Sequence, residues 1–375
     1  MDEAYRAALA CLPRMNPLAL PGLLRLAGGA GEMWEILQAG GERARALVGE
    51  EKAAMWKDHC RRTEPSRVLS GLGAKGIRVI APGQASFPPL LAAIYDPPAL
   101  LFIMGGDIPT DSPCVAVVGA RKASSYGRWA AETLGEGLAR RGVVVVSGAA
   151  YGADGHAHQG CLKAGGFTMA VLGCGVDQVY PPEHAGLFGR IASSGCLISE
   201  YPPGDGPLPW RFPHRNRIIA GLSHAVVVVE ASEKSGALIT ADMALEEGRE
   251  VMAVPGPIGS SLSRGANALI QKGAKLVMGV EDICEELPSA CPPLARFPAR
   301  TGGGEEPSAR ERECMKLLRG EPRSLDWLAS RLGEPPGELM ACLTAMSLKG
   351  WVTGEAGGRY RLLCEPSCEA DKPVQ

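Results

Sequence analysis

The residues best suited to chemistry lie in "FPHRNRIIAGLS" (212–223). There Arg215 and Arg217 flank Asn216 at the start of a helical run, with Arg211 and His214 beside them and no acid between Asp205 and Glu230. A helix N-terminus already carries partial positive charge, so cations are repelled there unless a ligand brings the complement. A phosphate at this point would meet backbone amides, two guanidiniums and the helix dipole together. Asn216 can hydrogen-bond a base edge or brace a neighbouring loop. Phe212 and Trp210 offer faces on which a base could stack, at about 1–3 kcal/mol each. The alternative is that the two aromatics are core and the arginines surface charge.

Short apolar runs alternate with helical segments from Cys114 onward: "CVAVVG", "VVVVS", "TMAVLG", "CLISE", "AVVVVEA" and "EVMAVPG". Wholly apolar strands alternating with helices predict a parallel sheet covered on both faces, with ligands bound beyond the carboxyl ends of the strands. The loops expected at that edge are "GARKASSYG", "SGAAYGADG", "LGCGVD", "SEYPPG", "EASEKSG" and "PGPIGSSLSRG". Glycine lets backbone amides approach a ligand, and successive amides form anion-binding concavities. Several such loops on one edge point to a polyanion or a phosphorylated ligand. The expected contacts are Gly119, Arg121, Lys122, Ser124, Tyr126 and Gly127 in the first loop and Ser147, Gly148 and Gly152 in the second. Phe212, Arg215, Asn216 and Arg217 follow at the helix start, then Ser235 and Gly236.

Other chemistries fit less well. "VAVVGARKASSYG" is neither G-x-G-x-x-G nor G-x-x-x-x-G-K-[ST], so neither a dinucleotide nor triphosphate hydrolysis is signalled. "ADGHAHQG" brings Asp154, His156 and His158 together in sequence. Two residues apart on a helix, the histidines point about 200° away from each other and cannot share one ion. Asp154 reads as a cap or loop brace. Ser235 has no neighbouring base to make it a nucleophile. No metal, no cofactor and no catalytic group is expected.

The chain has 375 residues, a formal charge of −2 and a 46% hydrophobic fraction, which suits a protein of several globular domains without a general basic coat. Its twelve cysteines form no C-x-x-C pair and mostly fall in apolar runs, as buried hydrophobes do. No signal peptide and no membrane-spanning run is read, so the expected compartment is the reducing cytoplasm. Residues 1–62 read as an N-terminal helical, SAM-like domain. Residues 64–287 read as an extended Rossmann-like α/β domain, whose first part, 64–110, is a Pro-rich connector with the single strand "GIRVIA". Residues 288–307 are a linker, and 308–365 form a winged helix-turn-helix whose recognition helix, 336–349, offers only Lys349 as a base. Leu269 and Ile270 are a candidate dimer patch, the alternative being that they pack on the sheet.

These residues resemble the DprA/Smf family, in "VAVVGARKASSYG", "VVSGAAYGADGHAH", "FPHRNRIIAGLS", "EASEKSGALITADMALEEGREVMAVPG" and "SRGANALIQKGA". The resemblance covers about 70–287 and implies a dimeric, non-catalytic protein of natural transformation. Such a protein binds and protects single-stranded DNA and loads the RecA recombinase onto it. The family's phosphate-pocket arginine falls on Arg121, its serine on Ser124 and its paired arginines on Arg215 and Arg217. Tyr151 stands where the family pattern has a cation, which implies less charge and more stacking in that loop. Two alternatives are a nucleotide-processing enzyme resembling Rossmann-like phosphoribohydrolases, whose P-G-G-x-G-T loop "PGPIGSS" does not reproduce, and a transcription regulator using the winged helix.

Overall fold

The structure, a computed structural model, describes residues 2–288, 308–319, 321–348, 351–355 and 359–362. The chain divides into two compact units, Met1–Ala299 and Arg300–Gln375. The expected linker and the cysteines beyond position 362 lie outside the described residues.

The first unit is built on a nine-stranded sheet of β1 Ile77–Ile80, β2 Leu101–Gly105, β3 Cys114–Val118, β4 Val144–Ser147, β5 Thr168–Leu172, β6 Cys196–Ser199, β7 Ala225–Val228, β8 Glu250–Ala253 and β9 Lys275–Leu276. Their spatial order is β1-β2-β6-β5-β4-β3-β7-β8-β9, parallel from β6 to β9 and antiparallel at β1 and β2. Every residue of β3 to β7 is buried, which is why these strands are apolar on both faces. The chain winds from β3 outward to β6, then crosses back to lay β7 on the other side of β3, Val117 pairing with Val227. The order of winding reverses there, so a crevice opens between the carboxyl ends of β3 and β7.

Helices cover both faces. Val117, Leu134, Leu138, Val145 and Ala157 pack on one side, and Val118, Val146, Val171, Ile218 and Ile219 on the other. A third cluster joins Leu9, Met33, Leu37 and Trp56 of the N-terminal helices to Ile77, Phe102, Leu172 and Leu187. The N-terminal helices therefore share a core with the sheet, and the boundary expected at 62–64 does not separate two compact bodies.

Three elements depart from the expectations. The connector at 64–110 contains helix Pro65–Ala74 and strand β2, whose apolar residues pair with both β1 and β6. Helix Arg211–Gly221 begins ahead of Arg215 rather than at it, with Pro213 in its first turn, where a missing N–H breaks no bond. Leu269 is 8% exposed and buried against its own sheet, with Ile270 packed beside it, so the pair is not a surface patch.

The second unit has helices Ala309–Leu318, Leu325–Leu332 and Pro336–Leu348 and a small sheet of β10 Arg323–Ser324, β11 Val352–Glu355 and β12 Arg359–Leu362, in the order β10-β12-β11. Ser308 and Ser324 cap the first two helices by accepting from Glu311 and Trp327 amides. Cys314, Leu328, Leu339, Leu343 and Trp351 fill its core. This is a winged helix.

His158 is fully buried on helix Ala153–Lys163, its Nδ1 2.7 Å from Thr168 Oγ1, and the Thr168 hydroxyl donates to Val145 O at 2.8 Å. The threonine proton is thus committed, and His158 Nδ1–H donates to the hydroxyl oxygen. Burial pushes the His158 pKa from 6.5 down to about 3. The folded protein binds fewer protons than the unfolded chain in that window, so this site's stability is full above pH about 6.5 and is lost as pH falls toward about 3. The slope reaches about 1.4 kcal/mol per pH unit. Urea midpoints measured from pH 7 to pH 5 should fall more steeply for the parent than for His158→Asn. A second prediction concerns the crossing of helices Ser125–Arg140 and Ala153–Lys163, where a Cβ on Gly160 would lie 2.0 Å from Glu132 O. Gly160→Ala should cost about 1–3 kcal/mol in urea denaturation.

Candidate nucleic-acid interface

At the crevice between β3 and β7 lies a cavity of about 400 Å³. The loop Gly119–Lys122 forms one wall, and Ala150 and Asp154 lie after β4. Phe212, Arg215 and Asn216 come from the helix before β7, and Ser235 and Gly236 from the start of the helix after it.

Arg121 and Lys122 are exposed at this cavity. The Arg121 guanidinium sits 5.2 Å from the Phe212 ring centroid, a cation–π contact. Neither side chain makes an ion pair among the described residues. On the facing wall, Ser235 caps helix Gly236–Glu246, accepting from Ala237 N at 3.3 Å, and no acid occupies the first turn. That helix end directs its partial positive charge toward the same space.

Arg215 also lines the cavity, but most of its fork is committed. It is 4% exposed, donates from Nη1 to Gly148 O at 2.9 Å and to Val171 O, and from Nε to Asn216 Oδ1 at 3.2 Å. Burial lowers its pKa to about 10, so it stays charged at neutral pH. Asp154 balances that charge and holds the loop after β4, its Oδ2 accepting from Gly148 N at 3.1 Å and Ala150 N at 3.5 Å. Burial pushes the Asp154 pKa up, and Arg215 opposes this. Gly148 sits between the two. A Cβ there would come within 2.5 Å of Arg215 Nη2 and 2.7 Å of Asp154 Oδ2, so only glycine fits.

Arg217 is not part of the cavity. Its Nη2 donates to both carboxylate oxygens of Glu200, at 2.7 and 2.8 Å, and its Nε to Asp96 Oδ2 at 3.2 Å. The angular argument that separates His156 from His158 applies equally to Arg215 and Arg217: two positions apart on one helix, they point to opposite sides. The expectation that both guanidiniums grip one phosphate is corrected accordingly. Other candidates are structural as well. Ser124 caps helix Ser125–Arg140, accepting from Gly127 N at 3.1 Å, while its hydroxyl donates to Glu230 at 2.6 Å and its amide to the same carboxylate at 2.8 Å. Ser147 donates to Val117 O at 2.6 Å inside the sheet. Gly152 lies against the carbonyls of Ala120 and Arg121. Tyr126 donates to Pro255 O at 3.0 Å, outside the cavity. Asn216 braces a loop, its Nδ2 reaching Gly236 O at 3.4 Å.

Sequence reasoning missed Glu230, Glu200 and Asp96, the acids that hold the site together. Glu230 and Glu200 each end an apolar strand run, a position where a lone acid signals a local partner. Asp154, His156 and His158 do not converge, His156 lying 3.7 Å from Glu132. Burial raises the pKa of Cys60, Cys161 and Cys196 to about 12, as in inert core thiols. No helix among the described residues is long and apolar enough to cross a membrane.

A doubly wound sheet with a cation-bearing cavity at its switch point, followed in the chain by a winged helix, defines a Rossmann-like protein with an added helix-turn-helix unit. Residues 78–288 match the family described as DNA recombination-mediator protein A, and residues 298–358 match the DprA winged helix domain. The DNA processing protein DprA of Bacillus subtilis is 43% identical over 240 residues, 63% of this chain and 81% of its own. The X-ray structure of DprA from Streptococcus pneumoniae superposes with a TM-score of 0.63 at 34% identity, over 76% of this chain and 98% of that one. DNA processing protein A from Helicobacter pylori, solved to describe its single-stranded DNA binding mode, gives a TM-score of 0.50 at 29% identity, over 56% of this chain and 94% of that one. The chain belongs to the DprA/Smf family.

The two arginines should separate cleanly. Arg217→Ala strands Glu200, 2% exposed, without its partner and should cost about 3–5 kcal/mol of stability. Arg121→Ala removes a solvated side chain and should shift the unfolding free energy by no more than about 0.5 kcal/mol. Paired chemical denaturations check both.

Proposed function

We propose that this protein binds single-stranded DNA at the β3–β7 crevice, shields it, and hands it to a RecA-type recombinase. It does so as a homodimer in the cytoplasm during DNA uptake, without catalysing a reaction. One observation carries the DNA reading: Arg121 and Lys122 stand at a cavity beside a helix start and carry no protein counter-charge among the described residues. A cation left open at such a place is a seat for a phosphate. Phe212 in the same wall offers a ring to an unpaired base. The relative from Helicobacter pylori, described as binding single-stranded DNA, supports the choice of ligand. The recombinase, the dimer and the role in uptake rest on membership of the family.

The reading is of a binding protein. Asp154, the acid lining the cavity, is occupied in holding backbone amides and balancing Arg215. The remaining contact candidates, Gly119, Gly127, Gly148 and Gly152, shape the loops that carry Arg121 and the cavity floor.

The test is a salt titration on matched single-stranded and duplex oligonucleotides. Single strands should bind more tightly. Affinity should fall with log salt at a slope of about 0.7 per phosphate held. Arg121→Ala should weaken binding and flatten that slope by about 0.7, as the loss of one phosphate contact requires. Equal affinity for duplex, or an unchanged slope in Arg121→Ala, overturns the assignment.

A further inference from the structure

We infer that the strand's bases, on leaving the cavity, lie over the rings of Tyr151 and Tyr180, and that this aromatic row sets which side of the strand faces the protein. The inference rests on the nucleic-acid reading of the cavity and adds a second contact surface to it.

Tyr151 is 40% exposed and Tyr180 36% exposed, although both are large apolar rings beside a charged cavity. The Tyr180 ring lies 5.3 Å from that of Phe212, tilted by 34°, and Phe212 is the cavity wall that also carries Arg121. Tyr151 meets the His184 ring edge-on at 5.4 Å and 70°, and its hydroxyl donates to Glu183. His184 in turn reaches Ala149 O at 3.1 Å through Nδ1. Glu183 and His184, the two partners of Tyr151, lie on the short helix Pro182–His184 that follows Tyr180 in the chain. Phe212 in the cavity wall thus holds the Tyr180 ring, and the helix after Tyr180 holds Tyr151 through Glu183 and His184.

Tyr151 is held by its hydroxyl and ring edge and Tyr180 by its ring against Phe212, while both stay partly exposed. A ring already fixed in place loses little freedom when a base settles on it, so stacking there is favoured over stacking on a free side chain. The loop that presents Tyr151 holds Ala149 at φ +51°, a left-handed conformation rarely adopted by a residue other than glycine. Such outliers persist where surrounding contacts dictate the loop's shape, and here the fixed shape is what presents the ring.

Charge decides the orientation. The Glu183 carboxylate, which accepts from the Tyr151 hydroxyl, places a negative charge beside the tyrosines. A phosphate beside it would be repelled. Arg121 and Lys122 lie at the other end and attract phosphate. The backbone therefore follows Arg121 and Lys122, and the bases turn toward the tyrosines. Stacking on rings is tolerant of sequence, because every base has a π face.

The experiment uses the full chain with two probes, a thymidine oligonucleotide and one of equal length in which abasic sites replace the bases. Tyr151→Leu and Tyr180→Leu should each weaken binding of the thymidine probe by about five-fold or more, leaving its salt slope and the affinity of the abasic probe unchanged. Tyr151→Phe and Tyr180→Phe, which keep the ring, should retain most of the affinity. The unsubstituted protein, photocrosslinked to an oligonucleotide carrying 5-iodouracil, should show adducts at Tyr151 or Tyr180, a readout independent of how the leucine variants fold. Equal losses on both probes, or crosslinks only elsewhere, overturn the inference while leaving DNA binding intact. A parent protein that binds neither probe overturns the underlying reading as well.

Discussion

A guanidinium removed from water needs charge or carbonyl oxygen around it, and helix Arg211–Gly221 buries Arg211, Arg215 and Arg217 near its start. Arg211 donates to Asp205 at 2.7 Å and Gly206 O at 3.0 Å, with its guanidinium 4.4 Å from the Tyr201 ring centroid. Arg215 takes the carbonyls of Gly148 and Val171, and Arg217 takes Glu200 and Asp96. These three sets of contacts reach different elements, so the helix start is fixed against the preceding loop, the ends of β4 and β5, and the end of β6. Removing one partner would leave a buried charge unsatisfied, which makes this part of the carboxyl edge rigid.

That rigidity explains why the cavity wall is formed before any ligand arrives. Glu230 does for the loop after β3 what Glu200 does for the helix, holding the Ser124 amide and hydroxyl together. Between these two anchored elements the cations divide into two kinds. Arg211, Arg215 and Arg217 are consumed in fixing backbone and side chains, whereas Arg121 and Lys122 are carried by the fixed loop and remain open. A binding site assembled in advance loses less free energy on ordering when the ligand docks. In a molecule of net charge −2 the positive character of this cavity is therefore local.

Much of this was legible in the sequence. The apolar runs from Cys114 to Ala253 gave the parallel strands because burial on both faces leaves no polar alternation to confuse the reading. The glycine-rich loops marked the edge at which the cavity opens, since strand–helix alternation places such loops on the same side. Strand β2 was harder: its partner β6 lies almost a hundred residues on, and flanking prolines disguised it. The shared core of the N-terminal helices and the sheet was equally hidden, because Trp56 and Phe102 meet only after folding.

The sequence by itself determined the class of fold, the edge at which the cavity opens and the presence of cations there. These depend on local periodicity and on loop composition. Tertiary structure alone decided which cations are free. Whether an arginine meets a phosphate or an acid of its own chain depends on residues far away, Glu200 and Asp96 for Arg217 and the carbonyls of Gly148 and Val171 for Arg215. Coulomb attraction and the cost of burying an unpaired charge act through space, and only the folded chain sets those distances.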